Sequence, residues 1–384
     1  MPYTGFVIPV YNTPPDILRK TIEDLLKQTN LQIYIVNDNS KKKETNDLLK
    51  ELEKKYKQIE VIYHEKNKGK IEALATGVRE GNITYPFFID DDITIMVNNG
   101  KENNLGKDLD KIIEDEISLL NQSDKNVCIV YPVGARNKNE NLLTRIQHLE
   151  HIIVTYYIRK FLDSSIHVNG AGSLWKYSDF FDVYKLHSKR HAADDLEISL
   201  ILYRLNREAI FSDDLILLAH LKDTFKGWFK QRISWEYGKW ILFKRYWKEI
   251  LKNPHTFSYY FASPSLLLSF FVNESGILYS IFSLYSIFSR RSYRWTNKNR
   301  MKEVLIYVPL LGVSAYAYPP VLLATPIYYY LFLKIIRDKY RISEKISFKD
   351  TVELIGYSLF YLSMLQPAGL VYTMYREIKN RLST

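Results

Sequence analysis

The 384-residue chain holds a single cysteine, Cys128, which excludes a disulfide-stapled scaffold and a multi-cysteine zinc site. Glycine and proline are also sparse, 15 and 13 residues, so collagen-like and low-complexity architectures are excluded. No G-x-G-x-x-G follows the first apolar strand and no G-x-x-x-x-G-K-[ST] occurs anywhere, which argues against a nicotinamide dehydrogenase and a P-loop NTPase. The start, MPYTGFVIPVYN, lacks the basic and apolar regions of a signal peptide. No internal repeat is visible. What the chain does have is uneven: a mean hydropathy of −0.22 averages a charged, mixed first part with a C-terminal part rich in uncharged runs.

The net charge is +10, from 53 Lys+Arg against 43 Asp+Glu. Its placement selects the partner. Residues 290–302 carry six Lys/Arg and no acid, and residues 334–349 carry six against two acids. Both lie between apolar runs, as juxtamembrane loops do, whereas a nucleic-acid surface needs a basic stripe with readable motifs and none is found. Stretches 257–289, 304–333 and 354–375 hold one, no and no charged residues, each long enough to cross a bilayer. Asn273-Glu274-Ser275 and Pro319-Pro320 interrupt the first two, leaving a tilted span, a kinked span or a short hairpin open for each. The basic segments on every side conflict with three single crossings, so the number of crossings stays open while membrane attachment is expected.

Residues 1–220 alternate in a β/α rhythm. Strands are expected at 6–10, 33–36, 59–64, 85–89 and 127–133, with helices at 17–28, near 43–56 and over about 70–79. This predicts an α/β fold, a mostly parallel sheet with helices on both faces, whose ligands sit beyond the carboxyl ends of the strands. Those ends carry Tyr11-Asn12, Asn37-Asp38-Asn39-Ser40, Asn67-Lys68-Gly69-Lys70 and Asp90-Asp91-Asp92. Three adjacent carboxylates repel one another unless a cation relieves them. Oxygen-only ligands suit Mg²⁺ or Mn²⁺, which bind through one or two carboxylates plus substrate phosphates. Asp38 also reads as a turn or helix cap, and Lys70 is poorly placed against a helix dipole unless an anion offsets it.

In this order the motifs resemble the inverting family 2 nucleotide-sugar glycosyltransferases of GT-A fold, over some 230 residues from FVIPVYN to about Trp235. Asp38 in IVNDNS matches the second Asp of V-D-D-G-S, which in the family reads the nucleotide base, with Asn37 and Asn39 departing from the pattern. NKGKIEALATG resembles N-x-G-K-x-x-A-L-N-x-G, implying Lys70 near the donor diphosphate, with Thr76 where Asn is usual. FFIDDD matches D-x-D, implying Asp90 near the nucleotide and Asp92 as the metal ligand. NGAGSLWK resembles the acceptor side of the pocket, with Gly170 in it. HAADDLEIS resembles the [TEG]-[ED]-D helix start, implying Asp195 as general base beside Asp194. FKGWFKQRISWEYGKW resembles the Q-x-x-R-W mark of hyaluronan, chitin and cellulose synthases. Gln231 and Trp235 match; Ser234 stands at the Arg position and Arg232 two residues earlier, about 200° away around a helix.

The resemblance therefore implies a cytosolic GT-A catalytic domain over 1–222, an interfacial amphipathic helix over 223–256 and a transmembrane domain over 257–384. The donor would be a nucleotide sugar, UDP being favoured by the resemblance alone, bound by Asp38, Lys70, Asp90, Gln231 and Arg232. The acceptor would be a glycan or a lipid phosphate, met by Gly170, Asp194 and Trp235, with Mn²⁺ or Mg²⁺ as cofactor and membrane lipids as surroundings. Two activities follow: extension of a β-linked polysaccharide, or loading of a polyprenyl (dolichyl) phosphate with one sugar. A catalytically dead nucleotide-sugar-binding subunit is weakened by the presence of all four aspartates.

Overall fold

A computed structural model describes residues 3–99, 106–162, 168–189, 193–252 and 319–382. The chain divides into two compact units, one of residues 1–140, 154–156 and 164–221, the other of residues 141–153, 157–163 and 222–384.

The first unit is built on a seven-stranded sheet. Its strands are β1 (Thr4–Val10), β2 (Gln32–Asn37), β3 (Ile59–Tyr63), β4 (Tyr85–Ile89), β6 (Asn126–Val130), β8 (Gly172–Trp175) and β9 (Glu208–Phe211). Their spatial order is β3-β2-β1-β4-β8-β6-β9. The first four run parallel, β8 runs antiparallel to both of its neighbours, and β6 and β9 are parallel. Helices α1 (Pro15–Leu26), α2 (Lys43–Lys55) and α3 (Lys70–Glu80) make the crossovers, and α4 (Leu109–Leu120) precedes β6. Phe6, Ile8, Ile33, Ile35, Phe87 and Ile129 are among the fully buried residues of the central core. The parallel β/α order is the expected one; the antiparallel β8 makes the sheet mixed.

Two of these interior strands contain proline, which cannot donate to a ladder. Val10 O accepts from Asp38 N, so Val10 faces β2 and Pro9 faces the β4 side, beyond the last β1–β4 pair, Val7 with Phe88. Tyr85 N donates to Tyr3 O, so Pro86 faces the β8 side, where pairing begins only at Phe87. Each missing N–H thus falls outside the residue pairs that the neighbouring strands make.

Pro132 corrects the expected strand over 127–133. The run ends as β6 at Val130, and β7 (Val133–Ala135) leaves for a second, three-stranded sheet of order β5-β10-β7, with β5 (Ile93–Val97) and β10 (Leu215–Ala219). The unit is completed by α7 (Tyr177–Leu186) and α8 (Asp194–Leu205).

In the second unit, α5 (Leu142–Ile152) begins at a reciprocal cap between Asn141 and Thr144. α6 spans Ile158–Leu162. The long α9 (Phe225–Lys252) leaves helical geometry at Tyr246 (φ −121°, ψ 23°). α10 (Pro319–Tyr340), α11 (Phe348–Phe360) and α12 (Gln366–Leu382) follow, the last two joined by a wider helical turn over Tyr361–Leu365. Gly369 lets α12 lie on α9: a Cβ there would fall 2.3 Å from Glu236 Cβ.

Among the described residues, no helix is long and apolar enough to cross a membrane. The expected stretch 257–289 lies outside the described residues, as do 304–318 of the second. Residues 319–333 belong to α10, and 354–375 run through α11, the wide turn and α12 without meeting that requirement.

Candidate active site

The parallel strands β1, β2, β3 and β4 end on one side of the sheet, so the loops that follow them converge. Asn12 ties the first two together. It adopts a left-handed φ of 57°, which asparagine tolerates, and its Oδ1 accepts from Lys41 N and Lys42 N at 2.7 and 3.1 Å. Asn37 accepts from Ser40 N at 2.9 Å and donates to Asn46 Oδ1 at 2.7 Å, so the residue that departs from V-D-D-G-S shapes the second loop.

Asp38 is 3% exposed, and both of its carboxylate oxygens have internal partners. Oδ1 accepts from Lys68 N and lies 2.7 Å from His64 Nδ1, and Oδ2 accepts from Gly69 N at 2.7 Å. The other ring nitrogen of His64 meets Thr76 Oγ1 at 3.0 Å. The carboxylate therefore holds the loop in front of α3, where Gly69 (φ 93°) makes the left-handed turn that starts the helix.

That turn delivers Lys70 to the site. Its Nζ lies 2.5 Å from Asp90 Oδ1 and donates to Gly170 O at 2.8 Å. Asp194 and Asp195 stand in the first turn of α8, a position that suits carboxylates. Gly170 brings the backbone alongside: a Cβ there would lie 3.6 Å from Lys70 Nζ and 3.7 Å from Asp195 Oδ2. Lys70, Asp90, Gly170, Asp194 and Asp195 line one narrow cavity of about 40 Å³, walled on the apolar side by Phe88, Trp175 and Phe180.

Charge is unbalanced here, with one ammonium among three carboxylates. Burial disfavours the Lys70 charge, but Asp90, with Asp194 and Asp195 behind it, outweighs burial and raises the lysine above its usual range. Burial and the repulsion of Asp195 push Asp90 up against the pull of Lys70. Asp91 points elsewhere, to Thr13 Oγ1, and burial together with Asp90 raises it to about 6.

Such an excess of half-buried negative charge fits a divalent cation. Among the described residues no group of three or more His, Cys, Asp or Glu could hold a metal alone. Two carboxylates completed by phosphate oxygens is a common way for Mg²⁺ to bind. Asp90 and Asp92 have side chains of the type that could serve as such donors, and Asp92 lies close enough to Arg136 for their charges to interact.

The remaining expected residues belong to the second unit. Arg232 is 3% exposed and forms a two-pronged pair with Glu150 at 2.7 and 3.0 Å. Its guanidinium also lies 4.4 Å from the centre of the Trp235 ring. Gln231 is half-buried on the same helix, α9. Several supporting residues were missed by sequence reasoning: His64, Thr13, His187 and Glu197. Glu197 is fully buried and accepts from both Ser188 N and Ser188 Oγ, with His187 Nε2 3.4 Å away, fixing the approach to α8. The only signal for it was an acid three residues after Asp194.

Residues 6–101 match the family model for Glycosyl transferase family 2. The curated protein "Probable glycosyltransferase YdaM" of Bacillus subtilis (strain 168) is 22% identical over 276 residues. That alignment takes in 66% of this chain and 59% of the relative, so the chain spans less than two thirds of the relative's length. Among solved structures, the mannosyltransferase PcManGT from Pyrobaculum calidifontis, in complex with GDP-Man and Mn²⁺, has a TM-score of 0.48 at 11% identity. The match covers 98% of this chain and 88% of that one. GalNAc-T7 with UDP, GalNAc and Mn²⁺ has a TM-score of 0.46 at 16% identity, covering 82% of this chain and 58% of that one. The family match over residues 6–101 and the curated relative support a glycosyltransferase enzyme.

Proposed function

We propose that the protein is a membrane-associated inverting hexosyltransferase that takes a nucleotide sugar, a UDP-sugar by resemblance, and extends a β-linked glycan. The observation that carries this reading is the convergence of Lys70, Asp90, Gly170, Asp194 and Asp195 on one cavity at the strand ends. In the reaction an acceptor oxygen attacks the anomeric carbon, the bond to the diphosphate breaks with its electron pair, and Asp195 takes the acceptor's proton. Lys70 offsets charge on the departing diphosphate, as the start of α3 equips it to do. Asp92 with Asp90 would hold Mn²⁺ or Mg²⁺, which when bound supplies further charge neutralisation on the diphosphate.

Asp195 favours a hydroxyl acceptor, because a phosphate is already ionised and needs no base. Arg232 favours the second reading, transfer of one sugar to a polyprenyl phosphate. Its pairing with Glu150 commits the guanidinium that would otherwise meet the diphosphate in a processive synthase.

Membrane association is supported by exposed apolar side chains on two helices of the second unit. Ile327, Leu331 and Ile335 recur every four residues along α10, and Val371, Met374, Tyr375 and Ile378 lie on α12. Residues 334–349, at the end of α10 and in the loop after it, carry six Lys/Arg against two acids. A catalytic domain facing the cytosol accords with these charges.

The test is a donor screen on detergent-purified protein with Mn²⁺, following nucleotide release and then sizing the product. UDP release with a glycosidase-sensitive polymer supports glycan extension. Label found only in the lipid extract, and only with added polyprenyl phosphate, moves the assignment to the second reading. No nucleotide release with any donor rejects both.

A further inference from the structure

Asn169 belongs to the cavity wall beside Gly170, yet neither the family pattern nor the mechanism gives its side chain a task. It is 9% exposed, and its Nδ2 donates to Tyr131 O at 2.7 Å. That contact fixes the orientation of the amide, since a carbonyl only accepts, so the other end must be the oxygen. Oδ1 is buried, and among the described residues no group donates to it. A buried acceptor left without a donor is unfavourable, and a side chain held this way is suited to receive one from a ligand.

Its surroundings keep it from turning away. The preceding Val168 N donates to Ser199 Oγ at 2.9 Å, and Ser199 Oγ donates to Asp195 O at 2.7 Å. The following Gly170 O accepts from Lys70 Nζ. Asn169 is thus clamped between the first turn of α8, which carries Asp195, and the lysine at the start of α3.

We propose that Asn169 is a specificity-determining residue, its Oδ1 accepting a hydrogen bond from one hydroxyl of a glycosyl unit bound against the mouth of this cavity, which is large enough for a hydroxyl rather than for a whole sugar. The inference rests on the transferase reading above and adds to it which atom of the protein reads the sugar. A site built to hydrogen-bond a hydroxyl rejects the analogue lacking it far more strongly than an apolar pocket rejects an added one.

The experiment compares parent and deoxy sugars on the same protein. UDP-glucose, UDP-galactose, UDP-N-acetylglucosamine and GDP-mannose are screened first. The accepted donor, and then the acceptor glycan, are tested with each hydroxyl in turn replaced by hydrogen. In the wild type one deoxy position should lower kcat/KM by about 100-fold or more. In Asn169→Ala the parent should fall by a similar factor while that analogue is unchanged, so their ratio collapses to within about threefold. Whether the sensitive position lies on the donor or on the acceptor tells which sugar the residue reads. Equal losses for parent and analogue, or ratios unchanged at every position, overturn the proposal and leave Asn169 as a support for Tyr131. Absence of turnover with all four donors in the wild type overturns the transferase reading as well.

Discussion

Replacing Asp195 by Asn keeps the size of the side chain and removes its capacity to take a proton. The expected result is a 10²–10⁴-fold loss of transfer, on the order typical for general-base removal, with nucleotide binding by calorimetry unchanged. Transfer at the wild-type rate would take Asp195 out of the base role. Asp38 calls for a different experiment, because its carboxylate receives two backbone N–H groups inside the protein. Asp38→Ala should cost about 2–4 kcal/mol of stability in denaturant unfolding, from charge-assisted hydrogen bonds lost and donors left unpaired. It should also weaken donor binding through Lys70, whose loop it holds. A third case concerns pH. Burial raises the Asp179 carboxyl above its ordinary value, against the pull of Arg207. The unfolded chain then ionises first as pH rises, so this group's contribution favours folding below the unfolded pKa and declines through the folded one. Asp179→Asn cannot ionise. Its melting temperature relative to wild type should therefore climb between pH 3 and pH 7, and a flat difference would contradict the assignment.

Between β1, β2 and α3 the close approach depends on Gly77. A Cβ there would stand 2.5 Å from Val7 Cγ1 and 3.1 Å from Val36 Cγ2, two side chains of interior strands. Gly77→Ala should destabilise the first unit by about 1–3 kcal/mol despite alanine's better helix propensity, measured by urea unfolding. Elements of this half were largely legible in the sequence, and the reason is physical. Strands β1, β2 and β4 are buried on both faces and read as near-continuous apolar runs, and β1, β2 and β3 are each followed by an amphipathic helix. β8 escaped because GSLW is only four residues long and carries no alternation. β7 and β10 escaped because they form a separate small sheet, which no local pattern announces. The clustering of Lys70, Asp90 and Asp195 could be anticipated from strand ends, but the inward commitment of Asp38 and Arg232 could not. Burial of a charge is decided by partners distant in sequence, His64 in one case and Glu150 in the other.

In the proposed reading, Asp90 and Asp92 would be the protein's donors to the cation, with the diphosphate completing the site. Mn²⁺ alone should therefore raise the melting temperature little, while Mn²⁺ with UDP should raise it by several degrees, because ligands that bind only the folded state stabilise it by mass action. Asp92→Ala should abolish the difference between UDP with and without metal, and a variant that titrates Mn²⁺ like the wild type would remove Asp92 as a ligand. The interleaving of the two units has a practical outcome for anyone expressing the first unit alone. The chain leaves the first unit after residue 140, returns for three residues, leaves again at 157 and comes back at 164. Arg145, Glu150 and Tyr157 find their partners in Asp350, Tyr357 and Glu344, about two hundred positions downstream. On the ribosome, Arg145 and Tyr157 must therefore wait for most of the remaining message before these partners exist, whereas Glu150 meets Arg232 sooner. A stop codon at 222 would release a polypeptide with those groups permanently orphaned, so a soluble fragment requires replacing 141–163 by a short designed linker that still supplies Thr155 to Val133.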